Sequence, residues 1–505
     1  MNQRLYVLLT AAFLCVGSLC FGQQTTESLR LVGDLNKVTV SAYGSSSNPN
    51  NLVVMGVTPQ SEGKLYFTAD DGIHGQEVWE WDGTASGFRM LGEVVPGPGS
   101  IANAIAGNGT FSLHTESNTL LVDRTDGAPQ IYHFDTNEFL PASAAPMIGA
   151  RVYDLVDRKV ITGTQRPVSP DTVYHGFFGV LDAQSYAATG ISQPVSISNV
   201  GRPFFNQVGS NALLYFERGE NELRLMKTDG TTTGSLLMSF PGGHRADLVG
   251  RPSGKFLYAV GVVGSENDTV VLTDGSPQNT RIVAQNLLIR PVLGNTPDLA
   301  AGPLILPVLQ NNSMSLMLSN DDLSATSTLI TFSPGPSKFT VFTRYLNTVA
   351  LIFLFDGQHY QAYRTDYTAA GTFPVHQFLM SDGALPQPVE WEGRIYFQDS
   401  GDNGVWQIWE TDGSVDGTRK LLDTLPQETP SNLCVYRRML VFGGRFDEGR
   451  GDELYVLRGR FFEEDYVSNA VQVLGGLSQA SDWNMDGAID SADSLFFGPE
   501  GPRIP

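Results

Sequence analysis

Along most of the chain, apolar and polar positions alternate with a period of two in short runs, which is the periodicity of a half-buried strand and not of a helix. The first well-formed unit has four such runs: "NLVVMGV" from Asn51, "KLYFTAD" from Lys64, "EVWEWDG" from Glu77 and "FRMLGEV" from Phe88. Gly, Asp and Pro punctuate them. The link "DDGIHGQ" from Asp70 and the pair Asp82-Gly83 are hairpin signals, because glycine accepts positive φ at little cost. The unit is expected to be a four-stranded antiparallel meander.

The third run and its turn return along the chain, as "ELRLMKTDGTTTGS" from Glu222, "QAYRTDYTAAGT" from Gln361 and "QIWETDGSVDGT" from Gln407. Aligning the turn aspartates gives Asp82, Asp135, Asp182, Asp229, Asp274, Asp321, Asp366 and Asp412, with Arg458 in the ninth place. Most spacings are about 45 to 47 residues, a period that points to a solenoid, an array or a propeller. A lone meander would leave Tyr66, Trp79, Tyr215, Tyr396 and Trp409 uncovered, and stacking the units radially covers them while protecting the strand edges. The expected fold is all-β: a large β-propeller of about eight or nine four-stranded antiparallel blades. The count stays open because the degenerate unit at 136–200 reads equally as an insertion. "SLRLVGDLN" from Ser28 reads as an outermost strand without a blade, while the last unit, ending in "ELYVLRG", has three strands. Strand 28–36 is expected to complete that blade and close the ring.

These residues resemble the secreted ELWxxDGT-repeat proteins, named for their Glu-Leu-Trp-x-x-Asp-Gly-Thr motif. Glu77 to Thr84 fits with Val78 in the leucine place, Glu222 to Thr231 fits loosely, and Ile408 to Ser414 keeps the Trp, Asp and Gly. "SLMLSNDDLSATST" from Ser315 lacks both glycines, and "GFFGVLDAQSYAATG" from Gly176 keeps little beyond Asp182. The resemblance covers roughly residues 28–460 and implies a propeller, with no activity attached.

Residues 1–22 place Arg4 before an apolar run ending in small residues, the layout of a cleaved secretory signal peptide, so the protein is expected outside the cell or at its surface. Two of the three cysteines lie there, which leaves Cys434 alone after cleavage. No later run approaches the roughly 20 apolar residues of a membrane span. The formal net charge of -21 would repel nucleic acid and suits a calcium partner.

Past the repeat, at 461–505, "DWNMDGAIDSAD" is the sharpest chemical motif. Oxygen donors fall at positions 1, 3, 5, 9 and 12 (Asp482, Asn484, Asp486, Asp490 and Asp493), Gly487 makes the sharp turn, and Ala488 offers its carbonyl at position 7. Ile489 supplies the residue that packs such a loop. The stretch resembles one half of a dockerin type I module, an EF-hand-like calcium loop with Asp at position 12. A dockerin carries two such loops, whereas residues 461–481 hold only the cluster Glu463, Glu464 and Asp465, and Gly498-Pro499 cuts the following helix short.

The chain shows no phosphate loop, zinc-binding helix or nucleophile elbow. His74, His133, His244 and His359 are scattered. A turn aspartate can accept hydrogen bonds from the next backbone amides, and that local need explains its return without any ligand. Trp79, Trp81, Trp406 and Trp409 could stack on sugars, yet alternate ones must face a neighbouring blade, so at most half are free for ligands. Two functions remain. One is a monomeric, non-catalytic propeller recognising a protein or carbohydrate, with a calcium module. The other is a secreted polysaccharide-degrading enzyme, hydrolase or lyase, using carboxylates in the channel.

Overall fold

In the computed structural model, the described residues are the strands and tighter turns between 29 and 458, together with 497–498 and 501–502; residues 1–28, 459–496 and the longer loops lie outside them. Nine antiparallel blades follow one another as a β-propeller. Blade 1 consists of Asn50–Thr58, Ser61–Asp70, Gln76–Trp81 and Phe88–Gly92, running from the innermost to the outermost strand. Blades 2 to 5 span 113–141, 148–189, 206–241 and 243–289, and blades 6 to 8 span 304–332, 340–377 and 389–423. The degenerate stretch that reads equally as an insertion contains blade 3. Blade 6 has three full strands of its own. Leu288 and Ile289, the tip of blade 5's outermost strand, pair with Leu309 and Val308 in the innermost position of blade 6.

Blade 9 consists of Cys434–Tyr436, Met439–Gly444 and Glu453–Arg458, and Leu29–Gly33 forms its outermost strand. Leu29 pairs with Leu457 and Leu31 with Tyr455, with an irregularity between Leu31 and Gly33. The cores lie between blades and do not sit within them. Leu351, Phe353, Ile395 and Phe397 join blades 7 and 8, while Leu65, Phe67, Trp81, Tyr436 and Val441 join blade 1 to blade 9. Phe353 and Phe397 are fully buried, and truncating either to alanine should cost about 3–5 kcal/mol.

In blades 1, 4, 5, 6, 7 and 8 the pairing of third and outermost strands is broken by a bulge at an equivalent place, and blade 5 has a second irregularity between Asp268 and Thr269. The shared bulge falls between Val78 and Trp79, Leu225 and Met226, Val270 and Val271, Leu316 and Met317, Ala362 and Tyr363, and Ile408 and Trp409. Counting four residues on from the first member of each pair reaches Asp82, Asp229, Asp274, Asp366 and Asp412, as the spacing predicts, but in blade 6 it reaches Asn320. Asp321 is therefore one residue late. In "SNDD" the period cannot choose between neighbours, whereas strand register can.

Meander topology puts these turns on the same end of the ring as the hairpins between innermost and second strands. The connections from one blade to the next emerge at the other end. No helix among the described residues is long and apolar enough to cross a membrane.

Candidate functional site

Among the described residues the turn is the chemical feature that recurs most often, and blade 8 shows it in full. Asp412 Oδ1 accepts the Ser414 amide at 2.9 Å and the Ser414 hydroxyl at 2.7 Å. The Gly417 amide donates to Ser414 Oγ, the Gly413 amide donates to Thr411 Oγ1, and the hydroxyls of Thr411 and Thr418 lie 2.7 Å apart. Asp82 with Thr84, Asp274 with Ser276 and Asp366 with Thr368 repeat the amide and hydroxyl bonds. The Thr368 hydroxyl is the main cause holding the Asp366 carboxyl below its ordinary 3.8, and the Ser276 hydroxyl does the same for Asp274. Burial works against Asp412, but the bonds from Ser414 and the charge of Arg394 outweigh it and lower its pKa as well. The turns around Asp274, Asp366 and Asp412 thus favour the charged carboxylate and already engage it.

Both motif glycines are required sterically. Gly230 has φ 89°, and a Cβ there would sit 2.4 Å from Val160 of blade 3, so the turn packs its bare backbone on the preceding blade. A Cβ on Gly417 would fall 2.0 Å from Asp412 Oδ1, because the carboxyl folds over that position. Asp-Gly-Thr-x-x-Gly is thus a self-contained plug between blades.

The residue two before the aspartate carries more charge inward. Glu410, fully buried, lies 3.2 Å from Arg394 Nη1 and 2.7 Å from Arg419 Nε; in blade 1, Glu80 meets Lys64 and Arg89 at 2.9 and 2.8 Å. The first motif residue points the other way. Glu77 accepts the Val94 amide at 2.8 Å, and Glu453 accepts the Ser47 hydroxyl at 2.5 Å and the Ser47 amide at 3.2 Å. Val94 and Ser47 both lie on the segments leading to the next blade, so this glutamate ties blade to blade.

Blade 8 has Gln407 in that place, and the carboxylate reappears across the strand pair at Asp399, 3.0 Å from His376 Nε2 on blade 7. His376 stands among Trp409, Phe378 and Phe397, with ring centroids 4.2 to 5.5 Å away. Sequence reasoning did not single out this pair, in which Asp399 is buried and His376 half-buried. Its available signal was a glutamine where the motif wants glutamate.

The tryptophans are committed too. Trp81 is buried, stacks on Phe88 and donates to Thr84 O; Trp79 donates to Ala69 O, and Trp409 to Gln407 Oε1. Trp406 packs on the blade 7–8 core. All four pack on the cores between blades, Trp81 buried and the other three half-buried, more than the half that strand alternation requires.

On the opposite end, His74 Nδ1 lies 2.7 Å from Asp71 Oδ2 and its Nε2 lies 3.7 Å from Glu93 Oε1; the Asp71 bond raises the imidazole pKa. Burial pushes the thiol of Cys434 up to about 12, which makes it a poor nucleophile. Among the described residues, no group of three or more His, Cys, Asp or Glu is placed to hold a metal ion. The predicted calcium ligands Asp482, Asn484, Asp486, Ala488, Asp490 and Asp493 lie outside the described residues.

No family model and no curated protein matches the chain. Among solved structures it is similar to BamB from Moraxella catarrhalis, at 10% identity over 68% of this chain and 96% of that one, with a TM-score of 0.37. It is similar to prolyl oligopeptidase B from Galerina marginata at 9% identity over 80% and 56%, TM-score 0.40, and to an oligogalacturonate lyase in complex with manganese at 11% over 87% and 95%, TM-score 0.35. Similarity at this level carries nothing about function, and the strand order itself establishes the propeller.

Proposed function

We propose that this chain is an exported propeller that binds a protein or carbohydrate without transforming it, with calcium held by residues 482–493. One observation carries the binding reading: the polar groups that recur from blade to blade are engaged within the ring, as at Asp412, Glu410 and Glu453. A frame whose repeated chemistry is structural leaves recognition to the loops that differ between blades. Export rests on residues 1–22, and calcium on the donor spacing from Asp482 to Asp493.

The calcium arm is tested by calorimetric titration of the full chain. The expected dissociation constant is about 0.1–1 mM, the range of extracellular modules, with the heat lost in Asp486→Ala. Equal heats from both proteins would reject the site. The binding arm is tested on a panel of polysaccharides and exported proteins by monitoring retention and new reducing or unsaturated ends together. Retention without new ends supports the reading, and turnover would move the protein to the polysaccharide-degrading class.

A further inference from the structure

Blade 9 differs from every other blade in how its outermost strand is held. In blade 8 the outermost strand Arg419–Asp423 follows the third strand Trp406–Thr411 after one short turn, so it cannot leave without unravelling its own hairpin. Leu29–Gly33 has no such turn. Its partner Glu453–Arg458 is more than 400 positions away, and its link to the ring runs only through the segment ahead of Asn50.

The far end of that segment is fastened independently. The amides of Ser47 and Asn48 donate to Asp452 O at 2.9 and 3.0 Å, Ser47 Oγ donates to Glu453, and the Asp452 amide donates to Ser46 Oγ at 3.0 Å. Blade 1 therefore stays docked on blade 9 whether or not residues 29–36 are in place. What those residues fill is specific. Leu29 and Leu31 enter the core between blades 8 and 9, Val32 and Leu35 enter the core between blades 9 and 1, and Asn36 donates to Ser46 O.

We propose that the outer position of blade 9 is a strand-accepting groove that takes residues 29–36 from a second copy of this chain as well as from its own. An antiparallel edge offers main-chain bonds to any extended segment, and the alternate side-chain sites supply selectivity. Residues 37–45 connect the exchanging piece to the fixed Ser46, and nine residues reach at most about 30 Å, enough to cross to a neighbour related by a two-fold axis. The short tether keeps the cis strand at an effective concentration near millimolar, so dilute protein closes on itself and exchange appears only when chains fold at comparable concentration.

The test places cysteines at the directly opposed pair Leu29 and Leu457, as Leu29→Cys with Leu457→Cys. Reduced protein is unfolded and refolded at about 1 µM and at about 0.5 mM, then oxidised and denatured for mass measurement. The expected result is monomer from the dilute sample and at least about tenfold more covalent dimer from the concentrated one. Covalent monomer alone at both concentrations overturns the proposal, as does a dimer without the engineered intermolecular disulfide.

A second arm adds synthetic peptide 28–36 to chain lacking those residues. Saturable binding, weakened at least about tenfold by Leu31→Asp in the peptide, is expected. Equal binding of both peptides overturns the side-chain selectivity. If the shortened chain fails to fold, the disulfide result on the full chain decides.

Discussion

Blades 8 and 6 build the same turn from different residues. Blade 8 uses Asp412, Gly413, Gly417 and a threonine pair, with Glu410 buried between Arg394 and Arg419. Blade 6 keeps the bulge and puts Asn320 in the aspartate's place. Its Oδ1 accepts the Ala325 amide at 3.0 Å and its Nδ2 donates to Ser324 Oγ at 2.8 Å. Glu410 corresponds by register to Leu318, and Arg419 to Ser327. Leu318 packs on the core between blades 6 and 7. Where blade 8 presents Gly413 to Val349 of blade 7, blade 6 reaches back to blade 5 through Asp321, whose carboxylate accepts the Ser253 hydroxyl. What persists is the bulge and a short polar side chain over the turn. The ion cluster and the glycines are one of two solutions.

The sharpest way to break this comparison is to remove the buried charge from blade 8 alone. Glu410→Leu leaves Arg394 and Arg419 without their buried partner and should cost about 3–5 kcal/mol by denaturant titration. Adding Arg394→Leu and Arg419→Ser, which removes the charge cluster as blade 6 does with Pro303, Leu318 and Ser327 at the three places, should recover most of the loss, because no buried charge is then left without a partner. A triple variant no more stable than the single one would show that the two blades are not interchangeable solutions.

Next in size is Gly417→Ala. Its methyl would displace the Asp412 carboxyl and should destabilise by about 1–3 kcal/mol through overpacking and lost turn bonds, read as a fall in denaturation midpoint. Ala325 of blade 6 already carries that methyl beneath Asn320, so Ala325→Gly should change stability by no more than about 1 kcal/mol.

Acidification separates the blades by sign. The Asp412 pKa is lowered in the fold, so its contribution is present above the ordinary 3.8 and is lost as pH falls through the folded value; the amide of Asn320 does not titrate. Asp412→Asn should lose less than about 1.5 kcal/mol at pH 7 and converge with the parent below the folded pKa. Melting curves from pH 2 to 7 check this, and parallel curves would refute it.

The smallest change is a gain. Leu323 holds φ 60° in the blade 6 turn and packs on the core between blades 5 and 6, and Leu323→Gly should relieve that strain and stabilise by up to about 1 kcal/mol, or leave the melting point unmoved if its side-chain packing offsets the relief. A clear loss would show that the packing outweighs the strain.

Much of this was legible in the sequence for a physical reason. Period-two alternation and Asp-Gly turns are local requirements, so they must be written locally: they set the four-stranded unit, and their recurrence sets the propeller. The steric need for Gly417 was not legible, because it arises from where the Asp412 carboxyl folds. Nor was the pairing of His376 with Asp399, which joins two blades through side chains whose neighbours in sequence say nothing of each other.

The sequence alone determined the all-β unit, its repetition and the placing of an aspartate over most turns, since each depends on residues within one hairpin. Only the tertiary structure decided the rest. It counted nine blades by folding the degenerate stretch into a blade at 148–189, moved the blade 6 turn residue from Asp321 to Asn320, and sent Glu77 and Glu453 to the segments that lead to the next blade. Register and contact between distant strands are set by shared burial, and burial exists only once the blades have packed.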